Sequence, residues 1–204
     1  MKTDIYTLAH EIKNPLCVVK GYLEMMDKEN FERYREIIKN EVNDSIEILD
    51  SYLEFNKLSL EKEEMDLNIL LIDIKKSMQE YLKKKGIHLK ISLIDEDVYL
   101  EADYNKLKQV FHNIIKNSME SSSKNIWIFY EMMYDKVVIT IQNDGERISS
   151  DCLNKIGNNY SNKILGNGIG LTLSKEIIKL HNGKIEYFNN EKKGISTIIT
   201  LYLN

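Results

Sequence analysis

The sequence predicts an α+β protein in which an N-terminal antiparallel helical hairpin precedes an α/β sandwich. Apolar residues recur at steps of three, four and seven up to about residue 57, which is typical of amphipathic helices. A charged stretch at 58–64 ends this pattern. Beyond it, segments of helical period alternate with segments of period two, which indicates helices packed on a sheet.

The first predicted helix begins at Ile5. Its apolar stripe consists of Leu8, Ile12, Val19, Leu23 and Met26. Pro15 lies inside this pattern, where a proline kinks a helix or leaves one hydrogen bond unmade. A second helix is predicted over about 31–57, and the short connection at 27–30 makes the two helices antiparallel neighbours. Two amphipathic helices cannot enclose a core alone, so we expect a homodimer that forms a four-helix bundle.

The rest of the chain, residues 61–204, is predicted to form a second domain after a first domain of residues 1–60. Asp66 and Asp103 are candidate N-caps of two helices, and Gly86 is the candidate C-cap of the first. Strands are predicted at 87–93, 126–132, 137–142, 185–188 and 195–203, with a last helix from about 168 to 182.

Composition excludes several classes of protein. The net charge is −4 without a long block of one sign, so neither nucleic acid nor an anionic membrane has electrostatic support as a partner. No apolar run approaches the roughly 20 residues of a membrane helix, so we expect no membrane contact by this part of the protein. Cys17 and Cys152 have neither metal-site nor disulfide spacing, which predicts a cytoplasmic location. A sensor or membrane-attached region of a longer protein would lie outside this sequence.

His10 is the first candidate functional residue, because it lies on the outer face of the first helix. Asn14 shares that face one turn later, and Glu11 flanks the histidine. A solvated imidazole is largely neutral near neutral pH, so one ring nitrogen is a nucleophile. Glu11 is placed to accept a ring proton. A lone exposed histidine is more often an ordinary surface residue, so the interpretation depends on the surrounding motif.

A second candidate site lies on the helix that Asp103 caps. Asn113, Lys116 and Asn117 share one polar face of this helix. Amide oxygens one turn apart can hold a hydrated Mg2+, and a lysine beside them can neutralise phosphate oxygens. A solvated helix face explains the pattern equally well. His112, next to this face, is predicted to be structural.

Two glycine-bearing segments complete the candidates. Gly166, Gly168 and Gly170 open the last helix, where backbone N–H groups and the helix N-terminus favour phosphate. A lone motif of this kind is weak, and a Rossmann site would place it early and directly after a strand. The earlier segment, residues 143–147, reads Asn-Asp-Gly-Glu-Arg.

These motifs together resemble those of bacterial sensor histidine kinases. The segment 6–16, Tyr-Thr-Leu-Ala-His-Glu-Ile-Lys-Asn-Pro-Leu, strongly resembles their H box. The segment 109–117 resembles their N box, and the late glycines resemble the second glycine box of the GHKL ATPases. The boxes occur in family order from Ile5 to Leu203, and the form of the N box is most similar to that of the sporulation kinases.

The resemblance implies a dimerisation and phosphoacceptor domain followed by a Bergerat-type ATP-binding domain. It implies that ATP phosphorylates His10, that Glu11 assists, and that Asn14 helps to place a water when the partner is dephosphorylated. The phosphate then passes to an aspartate of a response regulator, the implied partner beside the second copy of the homodimer.

The resemblance also implies ATP and Mg2+ as cofactors. The residues implied to bind them are Asn113, Lys116, Asn117, Asn143, Asp144, Gly145, Lys163, Gly166, Gly168 and Gly170, with Asn113 and Asn117 at the metal. Tyr160 and Lys163 resemble remnants of the family's ATP lid.

The first glycine box departs from the family pattern. The family has an aspartate that accepts from the adenine amino group, where this chain has Asn143, and Arg147 replaces a second glycine. An amide oxygen accepts a hydrogen bond less strongly than a carboxylate. Asp144 is an alternative acceptor if the turn shifts.

Three other functions remain open at this point. The altered glycine box favours a nucleotide-binding pseudokinase or scaffold. A phosphotransferase could instead receive phosphate on His10 from another protein, although it would not need the triphosphate site. A GHKL ATPase without phosphotransfer is the third, and the H box argues against it.

Overall fold

A computed structural model of the chain describes residues 5–153 and 169–203. Within these ranges the side chains of residues 5–7, 11, 47, 51, 54–56, 151, 152 and 169 are not described. The chain divides into two compact units, Met1–Leu58 and Ser59–Asn204. Over the described ranges, no helix combines the length and the apolar character that crossing a membrane requires.

The first unit is a helical hairpin. Helix α1 spans Ile5–Glu24 and continues through Pro15, and helix α2 spans Phe31–Asn56. The turn is held by Asp27, whose carboxylate accepts from the backbone N–H groups of two following residues at 2.8 and 2.9 Å. The predicted pair of helices is confirmed, and each helix ends within two residues of its predicted end.

The buried core between the two helices of the hairpin is small. Leu8 and Ile48 are buried, with 8% and 4% of their surfaces exposed. Most apolar side chains on one face of α2 are exposed. The exposed apolar side chains of the hairpin are Leu16, Val18, Leu23, Met25, Phe31, Val42, Ile46, Leu49 and Leu53. A single hairpin therefore leaves much of its apolar surface uncovered.

The second unit is a sheet with helices packed on it. Its helices are α3 (Leu67–Lys85), α4 (Tyr104–Glu120), the short α5 (Ser150–Leu153) and α6 (Ile169–Leu180). Its strands are β1 (Glu63–Asp66), β2 (His88–Ile91), β3 (Tyr99–Ala102), β4 (Asn125–Met133), β5 (Lys136–Asn143), β6 (Lys184–Asn189) and β7 (Ile195–Tyr202). Five strands form one sheet in the order β2-β4-β5-β7-β6, and β1 pairs with β3 in a separate two-stranded sheet.

The five-stranded sheet is mixed, because β2 runs parallel to β4 and the other neighbours are antiparallel. Alternate residues of β4, β5 and β7 are buried, which gives the sheet one apolar face. Residues on one side of α3 and of α4 are also fully buried, including Leu70, Ile74 and Phe111. The core of this unit therefore lies between the sheet and its helices, as the α+β prediction requires.

The structure differs from the predicted elements at four places. The charged stretch at 58–64 contains the start of β1, and β3 was not predicted at all. The strand predicted over 87–93 is shorter, since Leu93 lies outside β2 and is 41% exposed. The long loop after β5 contains α5.

Candidate functional site

His10 is exposed on α1. Its Nδ1 lies 3.5 Å from Nδ2 of Asn14, at the long limit for a hydrogen bond. Leu8 is buried, so the helix directs the imidazole away from the packed side of the hairpin. The side chain of Glu11 lies outside the described residues, so its predicted role stays a prediction.

Helix α4 positions the second group of candidates. The Asp103 carboxylate caps it, because Oδ1 accepts from the N–H of Lys106 at 3.0 Å while Oδ2 accepts from the N–H of Glu61 at 2.9 Å. Burial raises the pKa of Asp103, but these two N–H groups outweigh it and leave the pKa below its ordinary value. The apolar face of α4 is buried, which turns Asn113 and Asn117 to the opposite side.

Asn113 meets the start of α6, and Asn117 follows it one turn later on α4. Nδ2 of Asn113 donates to the carbonyl of Gly170 at 3.2 Å and lies 3.4 Å from Oγ of Ser174. Nδ2 of Asn117 donates to the carbonyl of Asn113 at 2.7 Å. Both amides therefore use their nitrogen ends on protein carbonyls, which leaves the oxygen ends to act as acceptors. Lys116 is exposed beside Asn117.

Gly170 is the only one of the three late glycines that the structure describes. A Cβ built there would lie 3.4 to 3.5 Å from the side chain of Asn113, which is ordinary contact. Gly166, Gly168 and Lys163 lie outside the described residues, and so does Tyr160. Their predicted contacts with phosphate stay predictions.

Asn143 ends β5 and is buried, with 5% of its surface exposed. Its Oδ1 accepts from the backbone N–H of Gly145 at 3.0 Å and of Ile195 at 3.4 Å. Its Nδ2 donates to Oγ of Ser118 at 3.2 Å. The side chain is thereby fixed between β7 and α4.

Two glycines permit this packing. A Cβ at Gly145 would lie 2.3 Å from the carbonyl oxygen of Ser121, and one at Gly194 would lie 1.8 Å from the carbonyl oxygen of Asn143. Neither position has room for a side chain. Gly194 also has φ +78°, a conformation that glycine adopts readily.

The carboxylate of Asp144 is directed to the start of β4. Its carboxylate accepts from the N–H groups of Lys124 and Asn125 at 2.8 and 2.9 Å and from Nδ2 of Asn125 at 2.7 Å. Burial raises the pKa of Asp144, but the hydrogen bonds from Asn125 and Lys124 more than offset it and keep the pKa below its ordinary value. Arg147, in the place of the second glycine, donates from Nη1 to the carbonyl of Glu191 at 3.4 Å.

Helix α4 is the common support of the described site. It holds Asn113 against α6 and Ser118 against Asn143. The loop after β5 is tied to its end, since the N–H of Glu146 donates to the carbonyl of Ser121 at 2.8 Å. Sequence reasoning missed Ser118 and Gly194, because their partners are distant in the chain and neither belongs to a periodic pattern.

His112 makes the kind of contact that a structural residue makes. Its Nε2 lies 2.9 Å from Oγ of Ser77 on α3. Burial is the main cause that lowers its pKa, and the charge of Lys108 adds to the effect. Its position between two helices supports packing rather than a role at the site.

Two protein families match the chain. Residues 5–61 match the His Kinase A (phospho-acceptor) domain, and residues 102–204 match the family of histidine kinase-, DNA gyrase B- and HSP90-like ATPases. The second match covers half of the chain and contains α4, β5 and α6.

Individual relatives agree with these families. Sporulation kinase A of Bacillus subtilis (strain 168) is 32% identical over 92% of this chain, and sporulation kinase B of the same organism is 29% identical over 96%. The chain spans 32% of the first protein and 48% of the second.

Solved structures extend the comparison. Histidine kinase ThkA in complex with the response regulator protein TrrA superposes with a TM-score of 0.83 at 31% identity, over 96% of this chain and 60% of that one. The catalytic domain of ThkA alone gives a TM-score of 0.64 at 32% identity, over 70% of this chain and 95% of that one. With a phospho-acceptor domain followed by an ATPase domain, the chain belongs to the sensor histidine kinases.

Proposed function

We propose that the protein is an ATP-dependent histidine kinase that phosphorylates its own His10 and passes the phosphate to an aspartate of a response regulator. The observation that carries this proposal is the arrangement around α4. One helix holds Asn113 against the start of α6 and Ser118 against Asn143, and Asn117 is bonded to the carbonyl of Asn113 one turn earlier. A nucleotide with its phosphates at the asparagines and its base near Asn143 fits this arrangement.

The chemistry assigned to His10 is nucleophilic attack on phosphorus. A ring nitrogen forms a bond to the γ-phosphorus while the bond to the β,γ-bridging oxygen breaks, and ADP leaves. The ring proton passes to a base, for which Glu11 is the proposed acceptor. The protein contributes mainly positioning and charge neutralisation, as phosphoryl transfer requires.

Mg2+ fits the two asparagines of α4. Their nitrogen ends donate to protein carbonyls, so their oxygen ends are available, and Mg2+ takes oxygen ligands. When bound, the ion neutralises charge on the phosphates. Lys116, exposed on the same helix, is proposed to contact a phosphate oxygen.

The proposed partners follow from the relatives and from the hairpin. ThkA was solved with a response regulator protein, and 96% of this chain matches that kinase. A receiver domain that carries an aspartate is therefore the proposed acceptor. The exposed apolar side chains of α1 and α2 support a homodimer built on the hairpin.

The test is incubation with Mg2+ and γ-labelled ATP. We expect label on the wild-type protein that is stable to base and labile to acid, the signature of phosphohistidine. His10→Gln removes the nucleophile and is expected to abolish the label. His88→Gln is the matched control, because His88 is exposed on β2 and belongs to none of the proposed sites.

Any other result either contradicts part of the proposal or supports a different function. Label that persists in His10→Gln contradicts His10 as the phosphoacceptor. Absence of label together with nucleotide binding supports a scaffold that only senses nucleotide. Absence of both label and binding supports a phosphotransferase that receives phosphate from another protein.

A further inference from the structure

We propose that the base pocket favours a purine nucleotide with a carbonyl group at C6, such as a hypoxanthine or guanine nucleotide, over an adenine nucleotide. This inference rests on the proposed function, which places the base against Asn143. It depends on which end of the Asn143 amide faces the base, and the surrounding hydrogen bonds determine that orientation.

Two backbone N–H groups fix the orientation of the amide. Those of Gly145 and Ile195 both point at one terminal atom of Asn143, at 3.0 and 3.4 Å. A backbone N–H only donates, so this atom is the oxygen, and the other terminal atom is the NH2 group. If the amide were turned over, its NH2 group would face these two backbone N–H groups. Donor would then meet donor in a buried site, which is costly.

Ser118 confirms the same orientation from the other side. Its hydroxyl hydrogen is directed to the carbonyl of Ile114 at 2.9 Å. Its oxygen is therefore an acceptor for Nδ2 of Asn143, which lies 3.2 Å away. The two lone pairs of Oδ1 are engaged by backbone, and one of the two hydrogens of Nδ2 is engaged by Ser118. The second hydrogen of Nδ2 is the group that remains for a ligand.

The backbone around Asn143 is held as firmly as its side chain. Nδ2 of Asn190 donates to the carbonyl oxygen of Asn143 at 3.2 Å. Gly194 packs against that same carbonyl, where even a Cβ would lie 1.8 Å away. The amide therefore cannot shift toward the base without breaking contacts on β7 and on the turn before it.

The group that the purine carries at C6 determines whether the second N–H of Asn143 Nδ2 finds a hydrogen-bond acceptor. Adenine carries an amino group at C6, which donates, whereas guanine carries a carbonyl there, which accepts. Hypoxanthine has the same carbonyl. An N–H of Asn143 pairs with that carbonyl but meets the adenine amino group as donor against donor. A carboxylate at this position would only accept, which reverses the match.

Asp144 does not restore an acceptor for adenine. Its two oxygens accept from the N–H groups of Lys124 and Asn125 and from the Asn125 amide. Moving it toward the base would break these three bonds at the start of β4. The discrimination is thus assigned to Asn143, with Ser118 as the residue that positions its amide.

The experiment compares ADP with IDP, in which a carbonyl and a proton on N1 replace the amino group. Binding to the full chain is measured by calorimetry with Mg2+, and no phosphate transfer is involved. We expect IDP to bind the wild type at least about tenfold more tightly than ADP, which is the scale of one mismatched buried hydrogen bond. Asn143→Asp is expected to reverse the order.

The matched control is Asn182→Asp, which adds the same charge after α6. Asn182 has φ +58°, and aspartate tolerates that conformation. This variant is expected to keep the wild-type preference for IDP. If Asn143→Asp does not fold, the ratio of the two affinities in the wild type still decides the proposal.

The outcomes separate this inference from the proposed function. Tighter binding of ADP by the wild type overturns the base preference and leaves the kinase intact. A preference for IDP that survives Asn143→Asp also overturns it, because Asn143 is then not the discriminating group. If neither nucleotide binds, the nucleotide site itself is refuted and this inference with it. Tighter IDP binding without label on His10 from either ATP or ITP supports the base preference and contradicts the kinase.

Discussion

His181 connects α6 to the start of α4 through both nitrogens of its ring. Nε2 accepts from the backbone N–H of Asp103 at 2.9 Å, and Nδ1 donates to the carbonyl of Ile177 at 2.8 Å. Only the neutral ring with its proton on Nδ1 can make both bonds. Burial is the main cause that lowers the pKa of His181, and the charge of Lys62 lowers it further.

This histidine predicts a loss of stability in mild acid. Its unfolded pKa is about 6.5 and its folded pKa is lower, so between these values the unfolded state binds more protons. The free energy of unfolding therefore falls as the pH falls below about 6.5. Urea unfolding followed by the fluorescence of Trp127 is expected to show this between about pH 7.5 and about pH 5.5.

The contribution of His181 is isolated by substitution. In His181→Gln the pH dependence is expected to flatten by up to about 1.4 kcal/mol per pH unit, the effect of one proton. His112, whose pKa burial also lowers, keeps its share in the variant. The exposed His88 supplies the control, and a slope unchanged by His181→Gln but changed by His88→Gln contradicts the assignment.

At the scale of elements, two glycines with positive φ have different surroundings. Gly86 ends α3 with φ +67°, and a Cβ there would meet nothing within 4 Å. Gly194 lies in the turn between β6 and β7 with φ +78°, directly against Asn143. The first position demands only a left-handed backbone, whereas the second also demands the absence of a side chain.

Substitution of each glycine by alanine distinguishes the cost of backbone strain from the cost of a steric clash. Gly86→Ala is expected to cost about 1–2 kcal/mol of unfolding free energy, the cost of left-handed backbone alone. Gly194→Ala is expected to cost more and to weaken nucleotide binding, because Asn143 must move. Chemical denaturation and calorimetry measure the two effects. Equal costs with unchanged binding would show that the turn relaxes without disturbing β5.

The elements that the sequence predicted best carry strong local signals. Asp66 accepts from the N–H of Asn68 at 2.8 Å as the predicted cap of α3, and Gly86 ends that helix as predicted. By contrast β1 and β3 have four residues each, which is too short for a period to stand out in the sequence, and three of the four residues of β1 are charged. Their pairing, Met65 opposite Leu100, depends on tertiary contact.

Within the candidate site, too, local spacing predicted some features and tertiary contacts determine others. Asn113 and Asn117 share a helix face, which their spacing predicted without reference to the fold. The bond between Ser118 and Asn143 joins residues 25 positions apart, and only the packing of α4 on the sheet brings them together. The orientation of the Asn143 amide follows from β7, which no local pattern in β5 reveals.

At the scale of the whole molecule, the hairpin exposes a row of apolar side chains along α2. Ile46, Leu49 and Leu53 are 52%, 42% and 48% exposed. Their spacing places them on one face, the arrangement found in helix bundles. A second copy of the hairpin would bury this face on both chains.

A charge on that face is expected to weaken the dimer. Leu49→Glu replaces an apolar contact on both copies, so the dimer dissociation constant is expected to rise by at least about tenfold. Asn40→Glu also places glutamate on α2, at an exposed site on the other side of the helix from this row, and is expected to leave the dimer intact. Light scattering over a dilution series measures both. A wild-type protein that is monomeric at every concentration would contradict the bundle.

The first residues of the α/β unit also determine how far the chain can be truncated from its N-terminal side. Glu61 donates to the cap of α4, and β1 is the only partner of β3 among the described strands. A fragment that began at Leu67 would retain all five strands of the main sheet. It would nevertheless leave β3 unpaired and free one oxygen of Asp103, beside the histidine that joins α4 to α6. A minimal nucleotide-binding fragment therefore has to start before Glu61, although neither that residue nor β1 touches the proposed site.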